Sequence, residues 1–379
     1  MSDGEVPSGR RADGREGSDG IEPADRREPG GASEPASGRA GMRGRAGMRE
    51  VAELAGVAIS SVSRVLSGHP DVSPAMRARV LDAVARLEYE PDFLAQSLRR
   101  GQTLSAGFVL ADLTNPLMSD IVHGAEAILR ARGYSLLLMS SESDPALDAA
   151  HIRFLQTRRV DGLILSLASE SHRPTLDTLA GVTVPLVVVD RALDPSFRAS
   201  AVVCDHAAGM RAAVEHLVRL GHRRIALIGG SRETLPARQR EDAMRAVVAE
   251  AGGAVDATTL PGTFSREHGA AATRQLLDGP SPPTAIIAGG NQLLIGALEV
   301  IGERGLLVGR DLSLVTCDDV PLITLYRPPI ASIARDTVGL GATAATLLLD
   351  RLGDPPGPPM TAVLSTTYTP RASVAPPPG

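Results

Sequence analysis

Acidic, amide and guanidinium side chains follow apolar segments in the second part of this chain, and their chemistry is that of ligand binding. They are Asp112 and Asn115 after LSAGFVLA, Asp190 and Arg191 after VPLVVV, Arg240 beyond RIALIGG, and Asp318 after LSLVTC. Carboxylates accept hydrogen bonds from hydroxyl groups and arginines donate them, so this set suits a neutral polyhydroxyl ligand better than a strongly anionic one. Taken singly, each residue is equally compatible with a helix cap, a turn or a surface ion pair.

Catalysis would need other combinations of residues. An enzyme requires a nucleophile with a base, paired catalytic carboxylates or a metal cluster, and the sequence assembles none of these. Cys204 and Cys317 are the only cysteines, they lie far apart, and no metal-ligand spacing surrounds them. We therefore predict no enzymatic activity, no cofactor and no metal site.

The elements that would position these side chains alternate between short apolar strands and helices. Fully apolar strands between helices indicate parallel sheets that are covered on both faces. The predicted strands are LSAGFVLA, YSLLLMS, VDGLILSL, VPLVVVD, RIALIGG, TAIIAG and LSLVT. A separation near Cys204 divides them between two lobes. Ligands bind beyond the carboxyl ends of parallel strands, which places a site in the cleft between the lobes.

The segment from Met48 to Ser67 has a different pattern, typical of a helix-turn-helix. Val51, Leu54 and Ala55 form one apolar face, Gly56 supplies a tight turn, and a second helix presents its own apolar face. The outer side of that second helix carries Ser60, Ser61, Ser63 and Arg64. Hydroxyls and arginine on a helix in the major groove can contact base edges and phosphates. Two apolar helices joined by glycine also occur in ordinary bundles.

A third helix closes this small core. Ser73 is a hydroxyl N-cap, Pro74 occupies the first helical position, and Met76, Val80, Val84 and Leu87 follow at helical spacing. Pro91 ends the helix. The next segment, DFLAQSLRR, has too few apolar groups to be stable alone and is predicted to become helical only against a partner.

Residues 48–371 resemble the lactose-repressor (LacI) family of bacterial transcription regulators. The segments VAELAGVAISSVSRVLS, VSPAMRARVLDAVARLEYEP and LAQSLRRG resemble its headpiece and hinge helix. Asn115-Pro116, HLVRLGHRRIALIGG from His216, and the CDD of residues 317–319 resemble landmarks of its effector domain. The resemblance implies a small all-α helix-turn-helix headpiece and an α/β periplasmic-binding-protein-like core of two doubly wound parallel-sheet lobes. It further implies a repressor that binds double-stranded operator DNA under the control of a small molecule.

The resemblance also assigns roles to residues. The predicted DNA contacts are Ile59, Ser60, Ser61, Ser63, Arg64, Ser73, Ala95 and Leu98. Leu98 matches the hinge leucine that wedges into the minor groove, although it would also serve as a core residue of a hinge pair. The predicted effector contacts are Asp112, Asn115, Asp190, Arg191, Arg240, Phe264 and Asp318. Phe264 occupies the position of a stacking aromatic, and Arg238 is the alternative to Arg240.

Several positions depart from the family pattern. Gly290 and Asn291 stand where Asn-Asp is usual, Cys317 stands where an aromatic is common, and Leu117 replaces a phenylalanine. In the headpiece, Gly47 and Ala58 replace residues whose hydroxyls would cap helices. The predicted effector is therefore a sugar or sugar-like compound, and not necessarily a common sugar.

The predicted domains are a disordered tail (1–47), a DNA-binding domain (48–91), a hinge helix and linker (92–102), an effector-binding and dimerisation core (103–371) and a second tail (372–379). The first lobe takes about 103–204 and 336–364, and the second takes about 205–335 and 365–371. The sequence shows neither a signal peptide nor an apolar run of transmembrane length, so we expect a cytoplasmic protein. A solute-binding protein would share the lobes but would need an export signal and no helix-turn-helix. We predict a homodimer with no membrane contact, because no heptad pattern follows Arg371 that could form a tetramer.

Overall fold

A computed structural model describes residues 46–89, 102–353 and 356–378 of the chain. The chain divides between Pro91 and Asp92 into two compact units. The predicted hinge helix, with Ala95 and Leu98, lies outside the described residues. None of the described helices combines the length and the apolarity needed to cross a membrane.

The first unit is a three-helix headpiece. Its helices are α1 (Met48–Ala55), α2 (Ile59–Leu66) and α3 (Pro74–Arg86). Gly56 adopts a left-handed conformation that ends α1, and its backbone N–H donates to carbonyls of that helix. The shared core contains Val51, Ala52, Ala55, Val62, Val65, Val80, Ala83 and Tyr89. Leu54 was predicted to face this core but is largely exposed, and Ala52 takes its place.

Gly47 belongs to the headpiece and not to the disordered tail that was predicted to reach residue 47. It is the N-cap of α1, and its backbone N–H donates to the Glu50 carboxylate at 2.8 Å. Gly47 has no side chain with which to cap the helix. The carboxylate of Glu50, the third residue of α1, instead accepts the hydrogen bond from the Gly47 backbone N–H at the start of the helix.

The first lobe is a six-stranded parallel sheet. Its strands are β1 (Ser105–Leu110), β2 (Ser135–Ser140), β3 (Gly162–Leu165), β4 (Leu186–Val189), β5 (Ser200–Cys204) and β11 (Thr361–Leu364), in the spatial order β11-β5-β4-β3-β1-β2. The helices are α4 (Pro116–Ala131), α5 (Pro145–Thr157), α6 (Arg173–Ala180) and α12 (Thr337–Leu352). One apolar core includes residues of α4 and α12, and a second includes residues of α5 and α6, so both faces of the sheet are covered.

The second lobe repeats this plan. Its strands are β6 (Arg224–Ile228), β7 (Asp256–Leu260), β8 (Ala285–Ala288), β9 (Ser313–Cys317), β10 (Ala331–Arg335) and β12 (Thr366–Thr369), in the order β12-β10-β9-β8-β6-β7. Only the pairing of β10 with β12 is antiparallel. The helices are α7 (His206–Arg219), α8 (Leu235–Glu250), α9 (Arg266–Asp278), α10 (Asn291–Glu303) and the short α11 (Pro321–Leu325). Two further apolar cores cover the two faces of this sheet.

The chain crosses between the lobes three times. It passes from β5 to α7 after Cys204, from β10 to α12 after Arg335, and from β11 to β12 after Leu364. The first two crossings bring Cys204, His206 and Arg335 to the hinge between the lobes, next to the cleft.

Residues 372–378 are not a free tail, contrary to the sequence prediction. Ser373 is fully buried, and its hydroxyl donates to the carbonyl of Leu314 at 2.7 Å. The carbonyl of Ala375 accepts from the Ser313 hydroxyl and contacts Nε2 of His222. Prolines and alanines give little sequence pattern, but backbone and hydroxyl hydrogen bonds hold this segment on the second lobe.

Candidate ligand-binding cleft and nucleic-acid interface

A cavity of about 230 Å³ lies between the lobes, at the carboxyl ends of both sheets. All seven predicted effector contacts line it: Asp112, Asn115, Asp190 and Arg191 from the first lobe, and Arg240, Phe264 and Asp318 from the second. The parallel strands explain this convergence, because each residue follows a strand whose carboxyl end points to the same side. Their contact with a ligand stays a prediction.

The cavity also contains Arg335, which the sequence reading missed. Its guanidinium pairs with Asp190 through Nη1 and with Asp318 through Nη2, the latter at 3.1 Å. All three side chains are at most 7% exposed. Arg335 is the last residue of β10, whose segment ASIAR was not recognised as a strand. Its position at a strand end would have identified it, had the strand itself been found.

Two opposing effects determine the ionisation of Asp190. Burial raises the pKa of its carboxyl, but Arg335, and next His206, lower it by more. The net result is a pKa well below the usual range for aspartate. The backbone N–H of Cys204 also donates to Oδ1 at 2.8 Å. Asp190 is therefore ionised in the folded protein at physiological pH.

His206 lies between Asp190 and Arg240. Nη2 of Arg240 lies 3.3 Å from Nδ1 of His206 and can only donate, so Nδ1 must accept and the ring hydrogen sits on Nε2. Nε2 in turn faces Oδ1 of Asp190 at 3.3 Å. Burial, followed by the charge of Arg240, lowers the pKa of His206 to about 4. The imidazole is thus neutral at physiological pH.

Asp190, Cys204 and His206 also have the spacing of a metal site, since their ligand atoms lie within 4.8 Å of one another. Burial, followed by the charge of Asp190, raises the pKa of the Cys204 thiol to about 12. Metals bind the thiolate, and the nearby guanidiniums of Arg335 and Arg240 oppose a further cation. We assign no metal to this cluster.

Asp112 and Asn115 shape the loop that enters α4. Oδ1 of Asp112 accepts from the backbone N–H of Thr114, and Asn115 is the N-cap of α4. Asp112 therefore has a turn role and Asn115 has a helix-cap role, as is common for these residue types at strand ends. The Asn115 amide oxygen also accepts from Nδ2 of Asn291 at 2.8 Å, which joins the two lobes across the cavity.

Phe264 packs against two glycines at the cavity wall. A Cβ on Gly230 would lie 2.1 Å from the ring, and a Cβ on Gly290 would lie 3.3 Å from it. Gly290, which departs from the family pattern, therefore provides space beside the aromatic ring.

A second contact between the lobes distinguishes the surroundings of Arg238 from those of Arg240. Arg238 pairs with the buried carboxylate of Glu170, which also accepts from the backbone N–H of Leu235. Arg238 does not line the cavity, whereas Arg240 does and is 5% exposed. Of the two arginines, Arg240 is thus the one that faces the cavity, and its contact with a ligand stays a prediction.

In the headpiece, α2 presents polar and exposed side chains on the side away from its core. Ile59 is 44% exposed, Ser60 and Arg64 are exposed, and Ser61 and Ser63 are half-buried. The Ser73 hydroxyl accepts from the backbone N–H of Met76 at 3.3 Å and so caps α3. These six residues stay predicted DNA contacts, while Ala95 and Leu98 lie outside the described part of the chain.

Two regions of the chain match known families. Residues 47–92 match the lacI family of bacterial regulatory proteins, and residues 214–374 match the periplasmic binding protein-like domain. The ribose operon repressor of Escherichia coli (strain K12) is 35% identical over 309 residues, which cover 81% of this chain and 93% of the repressor. The HTH-type transcriptional repressor PurR of Haemophilus influenzae (strain PittEE) is 31% identical over 306 residues, covering 80% of this chain and 90% of that protein.

Solved structures show the same architecture. A lac repressor dimer bound to operator and the anti-inducer ONPF superimposes with a TM-score of 0.77 at 29% identity, covering 87% of this chain and 99% of that one. A LacI family regulator from Enterococcus faecium with bound ribose has a TM-score of 0.64 at 26% identity, covering 72% and 99%. The predicted family and fold class are confirmed. The chain belongs to the lacI family of bacterial regulatory proteins.

Proposed function

We propose that this protein is a cytoplasmic, dimeric transcriptional repressor whose affinity for a palindromic operator is set by a sugar-like effector bound between the lobes. The cleft carries this proposal, because it brings the seven predicted contacts to one cavity. The relatives support it: they are repressors, one structure holds a dimer on operator DNA, and another holds ribose. The role is binding and not catalysis.

The DNA-reading part of the proposal rests on α2. Arg64 is exposed on this helix, and an arginine bidentate to guanine contributes about 1–3 kcal/mol of discrimination. In a selection of random duplexes, the full-length protein should enrich one palindromic sequence. Arg64→Ala should weaken binding to it by roughly 5- to 150-fold, with little change on random DNA.

Arg86→Ala is the matched control, since Arg86 is an exposed arginine in the last turn of α3. It should leave specific affinity nearly unchanged. The absence of any enriched sequence, or equal losses for the two variants, would contradict the proposed reading helix.

The switching part rests on the cleft. A ligand shifts an equilibrium only by its differential affinity for the two states, with a coupling that is typically about 1–3 kcal/mol. Arg240→Ala and Asp318→Ala should therefore bind operator normally but ignore the effector. Asp318→Ala leaves Arg335 paired with Asp190, so its guanidinium keeps a carboxylate partner.

Arg238→Ala is the comparison variant, because Arg238 pairs with Glu170 outside the cavity lining. It should still respond to the effector. A wild-type response from both Arg240→Ala and Asp318→Ala would show that the effector binds elsewhere.

A further inference from the structure

One residue of the first lobe, Glu170, makes three polar contacts with the second lobe. Its Oε1 accepts from the backbone N–H of Leu235 at 2.6 Å, and its Oε2 pairs with Nη2 of Arg238. Its own backbone N–H donates to the carbonyl of Glu233 at 3.2 Å. The Glu170 side chain is 7% exposed, so water competes little for these bonds. Both the side chain and the main chain of this residue therefore hold the start of α8.

The start of α8 has no side-chain cap of its own. Thr234 is the N-cap residue, but its hydroxyl donates to the carbonyl of Ser231 and accepts from no N–H group of the helix. The N–H group of Leu235 is satisfied instead by the Glu170 carboxylate of the other lobe. A negative charge is favourable at the positive end of the helix dipole, so this contact stabilises the approach of the two lobes.

The first lobe itself fixes the position of Glu170. In the loop after β3, Oδ2 of the buried Asp148 accepts from the backbone N–H of Ala168 at 2.7 Å. On the other side of Glu170, Oγ of Ser169 accepts from the backbone N–H groups two and three residues further along the chain. The loop is thus tied to its own lobe. If the lobes separate, Glu170 stays with the first lobe and its contacts with α8 break.

These contacts lie away from the hinge. In the first sheet, β3 is two strands from β5, after which the chain crosses to the second lobe. In the second sheet, β6 precedes α8 and is three strands from β10, after which the chain crosses back. When the lobes rotate about the crossings, groups separate in proportion to their distance from the hinge. Opening of the cleft therefore requires the contacts of Glu170 to break.

We propose that Glu170 is a latch that holds the cleft closed in the absence of any effector. All of its partners are groups of the chain itself, so the contact needs no bound molecule. Closure is then favoured before a ligand binds, and an effector adds only its own preference for one of the two states. The latch would also set the operator affinity of the effector-free protein, and this last step alone rests on the proposed function.

The rate at which a bulky reagent reaches the cavity measures its opening. Ala111 lines the cavity and is half-buried, so Ala111→Cys places a thiol at its wall. Fluorescein maleimide is too large for a space of about 230 Å³ and reacts with this thiol only when the lobes separate. The native thiols of Cys204 and Cys317 are buried in two apolar cores and report unfolding in the same sample.

The experiment uses the full-length Ala111→Cys protein without effector or DNA. Adding Glu170→Ala should accelerate labelling of the introduced thiol by about tenfold or more, because buried charge-assisted hydrogen bonds are lost. Labelling of Cys204 and Cys317 should not change. An unchanged rate for the introduced thiol, or an equal acceleration of the native thiols, would overturn the latch, since the second result would mean general destabilisation.

Glu250→Ala is the matched control. Glu250 also pairs with an arginine, Arg211, but both residues belong to the second lobe and Glu250 lies at the other end of α8. The control should leave the labelling of all three thiols nearly unchanged, because no contact between the lobes is lost. Acceleration equal to that of Glu170→Ala would show that the loss of any ion pair on α8 opens the cleft, and it would refute the specific role of Glu170.

Arg238→Ala tests the latch from the other side and replaces Glu170→Ala if that variant does not fold. It removes the ion pair but leaves the two backbone contacts of Glu170. Labelling should accelerate by about threefold, less than in Glu170→Ala, and no acceleration would again overturn the latch. Where both variants fold, their double variant should open no faster than Glu170→Ala, since the same ion pair is lost in each. The test involves neither operator nor effector, so its failure and a failure of the repressor function are distinguishable.

Discussion

Replacing Arg335 by methionine should destabilise the core strongly. The substitution keeps an unbranched chain of similar length but removes the guanidinium that Asp190 and Asp318 share. All three side chains are at most 7% exposed, so water cannot replace the lost partner. Breaking a buried ion pair by removing one partner costs about 3–5 kcal/mol, and we expect a loss in this range at pH 7.5.

The loss should depend on pH. In the wild type, the pKa of Asp190 is depressed, so its contribution to stability is present above the unfolded pKa of about 3.9 and is lost only as pH falls through the folded value. In Arg335→Met, burial, which has the largest influence on the pKa of Asp190, is no longer opposed by Arg335, so we expect the folded pKa to rise above the unfolded one. The free-energy penalty of burying the unpaired Asp190 carboxylate applies in full above this raised pKa, and it disappears as the carboxyl is protonated. The difference from wild type should therefore shrink between pH 7.5 and pH 5.5.

Urea denaturation of the full-length protein, followed by circular dichroism at both pH values, measures this difference. Arg310→Met is the matched control, because Arg310 pairs with Asp311 at an exposed site and its removal should have no measurable effect. Adding Asp190→Asn to Arg335→Met should recover part of the loss. A loss below about 1 kcal/mol, typical of surface pairs, would refute the reasoning, and so would a loss that grows towards pH 5.5.

Three further outcomes concern packing, capping and assembly. Gly341→Ala should destabilise the first lobe by about 1–3 kcal/mol in thermal unfolding, because the added Cβ would lie 1.8 Å from the carbonyl oxygen of Ile121. Gly302→Ala is the control: no atom lies within 4 Å of the added Cβ, so this variant should be more stable by about 0.5–1 kcal/mol. Ala58→Ser should stabilise the headpiece by about 0.5–2 kcal/mol in hydrogen exchange, since α2 lacks a side-chain cap, and unchanged protection would argue against capping there. Light scattering at micromolar concentration should give the mass of two chains, and a stable tetramer would contradict the predicted dimer.

Much of the cleft could be predicted because parallel strands carry a strong local signal. Fully apolar segments such as LVVV and AIIA identify buried strands, and the residues that follow them reach the same edge of a sheet. Asp190 and Asp318 were found in this way. The segments SAVVC, DATTL, ASIAR, TAVL and TTYT were not recognised as strands. Four of the twelve strands lie at sheet edges, where one side needs no apolar cover, and β7, β11 and β12 are among the unrecognised ones.

Local sequence determined the headpiece helices, the alternation of strands and helices, and the residue types at the strand ends. Each of these depends on contacts between residues that are near in the chain, such as the turn at Gly56 or the N-cap at Ser73. Only the tertiary structure decided which charges compensate one another. Arg335 and Asp190 are 145 residues apart, and Asn115 and Asn291 are 176 apart. Pairings over such distances follow from the crossings between the lobes and leave no trace in local pattern. Therefore the sequence identified the acids and bases of the cleft, whereas folding determined that Asp190 pairs with Arg335 and that Glu170 pairs with Arg238.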